Sequence, residues 1–412
     1  MNQVVITGIG IASPLGIGVE TFWQNLLAGK SGIGPLEGED FATLPVRIGA
    51  RVWDYRAEDH FDRKEARRMS LSSQLALVAA KEAIEQAQLM GNTVDPVEVG
   101  VMIGSSIGGF AASDPVYREY YQRGRKSAMV IPLSMNYGPS ANVSIRYGFQ
   151  GPLFTVDAAC ASAAHSMGYA YNLIRTGQLD LAVTGGADSP FSTGVMEAWA
   201  TMKALSTRNE DPEEASRPFS LDRDGMVLGE GAGILILESE ESANRRNVPI
   251  LAEIKGYGAS GDSYHITQPH QQGPALAMRR ALKDAALQAG GMGVAQIDLI
   301  NAHATATQQN DSTETAAIKA VFGEQAYHVP IIGLKGALGH SIAASSGIQA
   351  VSCVLALRDQ IVPPTLNVAV PDPDCDLDYV TEGARKVKME NVLMNAFAFG
   401  GSNAGLVVGK SM

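Results

Sequence analysis

The sequence predicts a layered α/β protein built from two similar halves, with the boundary near residue 250. Three matched pairs of segments carry that expectation. Residues 75–88 read as a helix and 97–103 as a buried strand, and the same pairing returns at 275–289 and 297–302. The run from Pro152 to Cys160, with small and helix-forming residues after it, is matched by the run from Pro330 to His340 and its helix. Gly229-Glu-Gly-Ala-Gly-Ile-Leu-Ile is matched by Gly401-Ser-Asn-Ala-Gly-Leu-Val-Val. Their common order argues for internal repetition. Strands alternating with helices argue for stacked layers. The halves are accordingly placed at 1–250 and 251–412.

Composition narrows the function. A chain of 412 residues can bury a large core. Its formal net charge of -11 argues against a general nucleic-acid binder, which needs a basic face. No apolar run approaches a membrane span, and the opening Met-Asn-Gln-Val-Val-Ile-Thr-Gly reads as a strand rather than a signal peptide. Cys160, Cys353 and Cys375 are too few and too scattered for a disulfide framework or a cysteine-based zinc site. A reduced, cytoplasmic enzyme is expected.

Taken in order, Val4 to Gly10 is a strand, and its Gly-Ile-Gly ending lacks the G-x-G-x-x-G spacing of a dinucleotide site. Val19 to Leu27 is a helix. Arg63, Lys64, Arg67 and Arg68 form a basic cluster, either a solvated helix face or a docking patch for an acidic partner. Residues 72–88 have helical spacing and 97–104 form a strand, with a mixed insertion over 110–145. A buried strand covers 179–186. Further on come a strand from Ile250 to Gly258, a helix from Gly273 to Ala289, and a strand from Ile297 that ends at His303.

Cys160 falls where an apolar strand meets a helix. A thiol at the positive end of a helix dipole is expected to have a lowered pKa, although an inert buried cysteine fits the same pattern. Other candidates converge on it: His303 at a strand end, Lys335 and His340 in one stretch, and the glycine-rich Phe399-Gly400-Gly401. A thiol and two imidazoles suit acyl-thioester chemistry, with backbone amides completing an oxyanion hole. Each histidine could equally be a hydrogen-bonded core residue. Metal ligation lacks any H-E-x-x-H or comparable spacing. His60, His165, His265, His270 and His328 are read as structural or exposed. Asp311 and Glu314 are candidate supporting acids, Glu314 being the expected partner of a buried Lys335.

These motifs together resemble the β-ketoacyl-acyl-carrier-protein synthases, type II condensing enzymes of the thiolase-like superfamily. The resemblance rests on Asp157-Ala-Ala-Cys160-Ala-Ser-Ala-Ala-His, Ala204-Leu-Ser-Thr-Arg-Asn, Ala215-Ser-Arg-Pro-Phe and Arg223-Asp-Gly-Met-Val-Leu-Gly-Glu-Gly. It extends through Asn301-Ala-His-Ala-Thr-Ala-Thr, Lys335-Gly-Ala-Leu-Gly-His and Asn395-Ala-Phe-Ala-Phe-Gly-Gly-Ser-Asn. It implies two βαβαβαββ halves in a five-layer αβαβα sandwich, usually dimeric. It implies an acyl chain on Cys160, decarboxylation of a malonyl extender at His303 and His340, and a positioning Lys335. It also implies an oxyanion hole from the N–H groups of Cys160 and Phe399, with the Phe399 ring as gate. Ile107 falls where the family lines its acyl pocket. Arg63, Lys64, Arg67, Arg68, Lys203 and Arg208 would meet acyl carrier protein, whose phosphopantetheine carries the substrates; the enzyme itself would bind no cofactor or metal. Two departures stand out: Ala304-Thr-Ala-Thr after His303, and Ser-Ile-Ala-Ala-Ser-Ser-Gly-Ile-Gln349 after His340, where many members have a Glu. They admit a second reading, the alpha ketosynthase of a type II polyketide or polyene synthase paired with a cysteine-free chain-length factor. The partner is thus a second copy or such a homologue.

Overall fold

The computed structural model describes residues 1–91, 94–289 and 293–411. Ten strands carry its central sheet: β1 Val4–Ser13, β2 Val99–Gly104, β3 Leu153–Phe154, β4 Leu181–Asp188, β5 Gly231–Ser239, β6 Ala252–Gly261, β7 Leu299–Asn301, β8 Ile331–Ile332, β9 Asn391–Phe397 and β10 Ser402–Gly409. An eleventh, Gly16–Ile17, hairpins onto β1. The spatial order is β8-β7-β9-β10-β6-β1-β5-β4-β2-β3. Counted within each group of five, both runs have the order third, second, fourth, fifth, first. Directions match too. The first three positions pair in parallel, while the fifth strand runs antiparallel to both its neighbours. Antiparallel pairing of Val4–Ile6 with Ala252–Ile254 joins the two groups edge to edge.

Five helices make the layers: α1 Leu71–Gln86, α2 Gly108–Arg123, α3 Ser162–Arg175, α4 Gln272–Ala289 and α5 Gln308–Phe322, and a sixth, α6 Ser345–Asp359, completes them. Helix α1 starts where the Ser70 side chain accepts the Ser73 N–H, and its Leu75, Ala79, Ala83 and Ile84 cover β1, β4 and β5 on an outer face. Helices α4 and α5 cover β6 to β10 on the opposite outer side. Helices α3 and α6 lie between the groups and touch strands of both. The resulting stack is helix, sheet, helix, sheet, helix, the expected five-layer sandwich. Helix α6 is buried along nearly its whole length, from Ser345 to Leu357. A helix apolar on all sides belongs at the centre of a layered core.

Sequence expectations needed correction in places. Strand β1 continues through Gly8-Ile9-Gly10 to Ser13 rather than turning there, because those glycines let the α1 backbone pack against it: a Cβ on Gly10 would stand 2.0 Å from the Ala79 carbonyl oxygen. Residues 110–145 are largely helical, with α2, Val130–Ser134 and Gly138–Tyr147. The match of Cys160 with His340 also shifts. The turn before α3 is Ala159–Ala161 and the turn before α6 is Ile342–Ala344, and both hold a residue at φ 45°, Ala159 and Ile342. The topological counterpart of Cys160 is therefore Ala343. The short helix Lys335–Leu338, which leads to His340, is inserted between β8 and that turn.

Close approach between β5 and α6 depends on glycine. A Cβ on Gly233 would lie 2.3 Å from the Gly347 carbonyl carbon, with backbone on both sides. Gly233→Ala is expected to cost about 1–3 kcal/mol and to lower the thermal unfolding midpoint. An unchanged midpoint by calorimetry would show that the two backbones can separate freely.

Candidate active site

The chain reaches Cys160 through β3 and the left-handed Ala159. The Ser162 hydroxyl staples this turn, accepting the Ala158 N–H at 2.9 Å and donating to the Ala159 carbonyl at 2.6 Å. A non-glycine residue at positive φ is strained and persists where surrounding structure holds it, often at functional sites. Ile342 is the sharper case, being β-branched. Cys160 is 7% exposed and lines a cavity of about 420 Å³ together with His303, His340, Phe397 and Phe399.

Both imidazoles converge on the thiol. His340 Nε2 lies 3.0 Å from Cys160 Sγ. Its Nδ1 accepts the Ile342 backbone N–H at 3.2 Å, and a backbone amide can only donate. The ring proton therefore sits on Nε2, directed at the sulfur. His303 is fixed by the same logic. The Lys335 ammonium, also a donor only, stands 3.5 Å from His303 Nδ1 and donates to the His303 carbonyl. The two rings meet edge to face at 5.4 Å. One ligating atom from each of Cys160, His303 and His340 falls within a 4.8 Å group. That spacing would span a metal ion, but the adjacent ammonium and the Nε2 protons oppose a cation there.

Burial dominates the electrostatics. It lowers both histidines well below their usual pKa, assisted by the Lys335 charge, so each stays neutral near pH 7. Burial also pushes Lys335 down to about 8, against the pull of Glu314. The thiol corrects the sequence expectation of a lowered pKa. Burial pushes Cys160 up to about 12, outweighing the Lys335 charge and the backbone N–H groups of Cys160 and Phe399 that face the sulfur. The resting site is thus a neutral thiol beside two neutral imidazoles and one ammonium.

The supporting acids do not pair as expected. No ion pair of Lys335 within 4 Å occurs among the described residues. Glu314, on α5, instead accepts the backbone N–H groups of His303 and Ala304, each at 2.8 Å, and the Asn395 side-chain amide at 3.1 Å. It shapes the His303 loop and acts on Lys335 only through space. Asp311 accepts the Phe219 N–H at 2.9 Å and lies 3.9 Å from Arg223. Gln349, at the position where the resemblance leads one to expect Glu, donates to Asn301 Oδ1 at 3.1 Å and to the Ala302 carbonyl at 2.9 Å. A carboxylate has no proton for either bond, so the amide braces the strand end before His303 in its own way.

Across the cavity, Phe399 is 38% exposed with its ring 5.6 Å from Trp199, and Gly400 and Gly401 have φ of 79° and 73°. These left-handed positions suit glycine. Lys203 lies at the cavity wall. The exposed Arg63, Lys64, Arg67 and Arg68 flank and occupy a short helix capped by Asp62. Arg208 is committed to Asp222 and Asp224, at 3.2 and 3.6 Å. Ile107 does not line the cavity; it packs in the cluster of Ala111, Val195, Met196 and Ile342.

Two residues escaped the sequence reading, Asp188 and Trp199, and a third, His265, was read only as structural or exposed. Asp188, fully buried at the end of β4, accepts the N–H groups of Ile107 and Ala343. Burial raises it to about 6. Its signal was an acid ending an otherwise apolar strand. Trp199 and the exposed His265 line the cavity without any motif to announce them.

Comparison with known proteins agrees with this geometry. Residues 1–243 match the model of the beta-ketoacyl synthase N-terminal domain and residues 251–369 that of its C-terminal domain. The chain belongs to the β-ketoacyl synthase family. It is 40% identical over 413 residues to 3-oxoacyl-acyl-carrier-protein synthase 2 of Staphylococcus aureus strain COL, covering 99% of this chain and 98% of the relative. The corresponding protein of Coxiella burnetii is 39% identical, with 99% of each covered. Among solved structures, the ishigamide ketosynthase/chain length factor superposes with TM-score 0.92 at 33% identity over 100% of both chains. A beta-ketoacyl synthase from Burkholderia phymatum STM815 has TM-score 0.92 and 32% identity, again over 100% of both. Among the described residues of this family member, no helix is long and apolar enough to cross a membrane.

A thiol near 12 beside a lysine near 8 makes a pH signature. Alkylation of Cys160 by iodoacetamide is expected to rise from pH 6 to 10 without a plateau, since the thiolate fraction grows about tenfold per unit below its pKa. Lys335→Ala should slow alkylation below pH 8, where the wild-type ammonium favours thiolate. The gap should narrow above pH 8 as the wild-type lysine loses its charge. A plateau below pH 8 in the wild type would contradict the buried neutral thiol.

Proposed function

We propose that the chain catalyses decarboxylative Claisen condensation in type II fatty-acid synthesis, as an elongating 3-oxoacyl-acyl-carrier-protein synthase. The carrying observation is one thiol facing two Nε2–H donors and two backbone N–H groups in a single cavity. In the first half-reaction the Cys160 sulfur attacks the acyl thioester on phosphopantetheine. The carbonyl oxygen becomes an oxyanion opposite the N–H groups of Cys160 and Phe399, and the carrier thiol leaves with the proton. In the second, malonyl-carrier protein loses carbon dioxide. The thioester enolate oxygen is held by the Nε2–H groups of His303 and His340. Its carbon attacks acyl-Cys160, giving β-ketoacyl-carrier protein and expelling the Cys160 thiolate, which takes up a proton from solvent to restore the thiol.

Neutral imidazoles suit this role, because a donor that keeps its proton stabilises an enolate without quenching it. Lys335 keeps His303 in the donating tautomer, and Glu314 and Asp311 hold the surrounding loops. The Phe399 ring with Gly400 and Gly401 gates the cavity. Ile107 stands outside the cavity, packed in the cluster that holds Ile342, so an acyl chain running from Cys160 toward it must open that packing. Acyl carrier protein docks on Arg63, Lys64, Arg67, Arg68 and Lys203, with Arg208 bracing the loop beneath. The two halves, 1–250 with the nucleophile and 251–412 with both histidines, meet at this site. The setting is cytoplasmic.

A second reading has its own support. Solved neighbours include a type II polyketide ketosynthase in complex with its acyl-carrier protein and a ketosynthase in complex with its chain length factor. In that case this chain is the alpha ketosynthase. Intact-mass analysis with acyl-carrier proteins of graded chain length, with and without a cysteine-free homologue, separates the two readings.

Cys160→Ala should abolish acylation, seen as loss of the mass increment. His303→Ala and His340→Ala should still acylate while condensation falls by roughly 100-fold or more. Full condensation by the Cys160→Ala protein would refute the reading.

A further inference from the structure

His165 lies outside the cavity wall but is tied to the strand that follows the Phe399 loop. It lies on α3 five residues after Cys160, is 8% exposed, and is held at both ring nitrogens. Nδ1 lies 2.6 Å from the Tyr257 hydroxyl and Nε2 lies 2.8 Å from the Ser402 hydroxyl. The Tyr257 ring packs edge-on against the imidazole, and Gly168 makes room for it: a Cβ there would stand 2.4 Å from the tyrosine ring. The result is a buried chain from β6 through α3 to the first residue of β10.

Ser402 gives that chain its consequence. Two left-handed glycines, Gly400 and Gly401, separate it from Phe399. The other hydrogen bonds here run back to the loop itself or toward β6 and the segment after it, and Ser402 pairs with Gly261 at the end of β6. Gly400 N–H donates to the Ile266 carbonyl at 2.7 Å, and the Gly401 carbonyl accepts from Asp262 N–H at 2.9 Å and from the Asn403 side chain at 3.0 Å. The His165–Ser402 bond ties the loop to the helix that carries the nucleophile. Two glycines in sequence give the backbone wide latitude, so a fixed point beside them decides where the Phe399 N–H aims.

We propose that His165 and Ser402 are positioning residues that register the Phe399 amide against the Cys160 sulfur, completing the oxyanion hole through a bond between α3 and β10. This rests on the reading of Cys160 as acyl acceptor and of the Phe399 N–H as an oxyanion donor. The neutral state of His165 agrees with it, burial having lowered its pKa.

Two reactions at the same sulfur separate positioning from general damage. Acyl transfer from acyl-carrier protein passes through a tetrahedral oxyanion and needs both N–H donors. Alkylation by iodoacetamide is a displacement at carbon with no oxyanion. Ser402→Ala should slow Cys160 acylation roughly 10- to 100-fold while changing the alkylation rate by less than about two-fold. Ser402→Thr, which keeps the hydroxyl, should acylate at close to the wild-type rate. His165→Gln, which retains an amide in reach of Ser402, should fall between Ser402→Ala and wild type. Equal acylation by Ser402→Ala and wild type would overturn the proposal. So would parallel loss of acylation and alkylation, or a Ser402→Thr protein as slow as Ser402→Ala. Wild-type protein that alkylates but accepts no acyl group from any carrier protein would instead remove the functional reading beneath it.

Discussion

Everything at this site depends on one contact, the packing of the turn Ala159–Ala161 against the turn Ile342–Ala344 at the heads of the two central helices. Each turn carries a residue at φ 45°, a conformation that costs of order 1–3 kcal/mol for a side-chain-bearing residue and survives only under external constraint. The constraint is visible. Ala343 donates its N–H to Asp188, and Ala164 donates to the Ser346 hydroxyl at 2.9 Å. Gly186 leaves space for the second turn and for the start of α3, since a Cβ on it would lie 2.5 Å from the Ala343 carbonyl oxygen and 2.6 Å from the Ala163 side chain. The position of Cys160 is therefore a property of both turns and of the strands that hold them.

That dependence explains what the sequence could show. The layered α/β class, the repeat and most strands were legible because buried strands leave apolar runs and close-packed layers leave glycines. Val19–Leu27 matched its helix end to end. Cys160, His303, Lys335 and His340 were legible because their chemistry is rare in such contexts. Three-dimensional partners were not. Glu314 read as a counter-ion for Lys335, yet its carboxylate is used up by backbone amides. Cys160 read as an activated thiol at a helix start, yet burial raises its pKa to about 12. The equivalence of Cys160 with Ala343 rather than His340 was hidden by the inserted Lys335–Leu338 helix, which no periodicity could align.

Asp188 shows the same limit from the other side. An acid closing a strand could have been a surface residue. Instead it holds the N–H of Ile107 at 3.2 Å and that of Ala343 at 3.2 Å. It thereby links the start of α2 to the turn beside Cys160. Removing such a carboxylate would strand buried amides, at about 1–3 kcal/mol for each one left unpaired. Its importance lies in the donors it satisfies, which are main-chain groups invisible in sequence.

The histidine tautomers follow from this geometry and determine the chemistry. Were His340 Nδ1 to carry the proton, its Nε2 would accept from the thiol and the ring would act as a base. The Ile342 N–H, donated from a residue at φ 45°, opposes that arrangement by occupying Nδ1. His303 is held in the matching form by an ammonium that burial has brought down to about 8 but not discharged at pH 7. Two neutral donors and two backbone amides then surround one sulfur with no strong base among them. Such a site favours negative charge on substrate oxygen, first at the acyl carbonyl and then at the enolate. Loss of the Lys335 proton would free the His303 tautomer and weaken the second of these steps before the first.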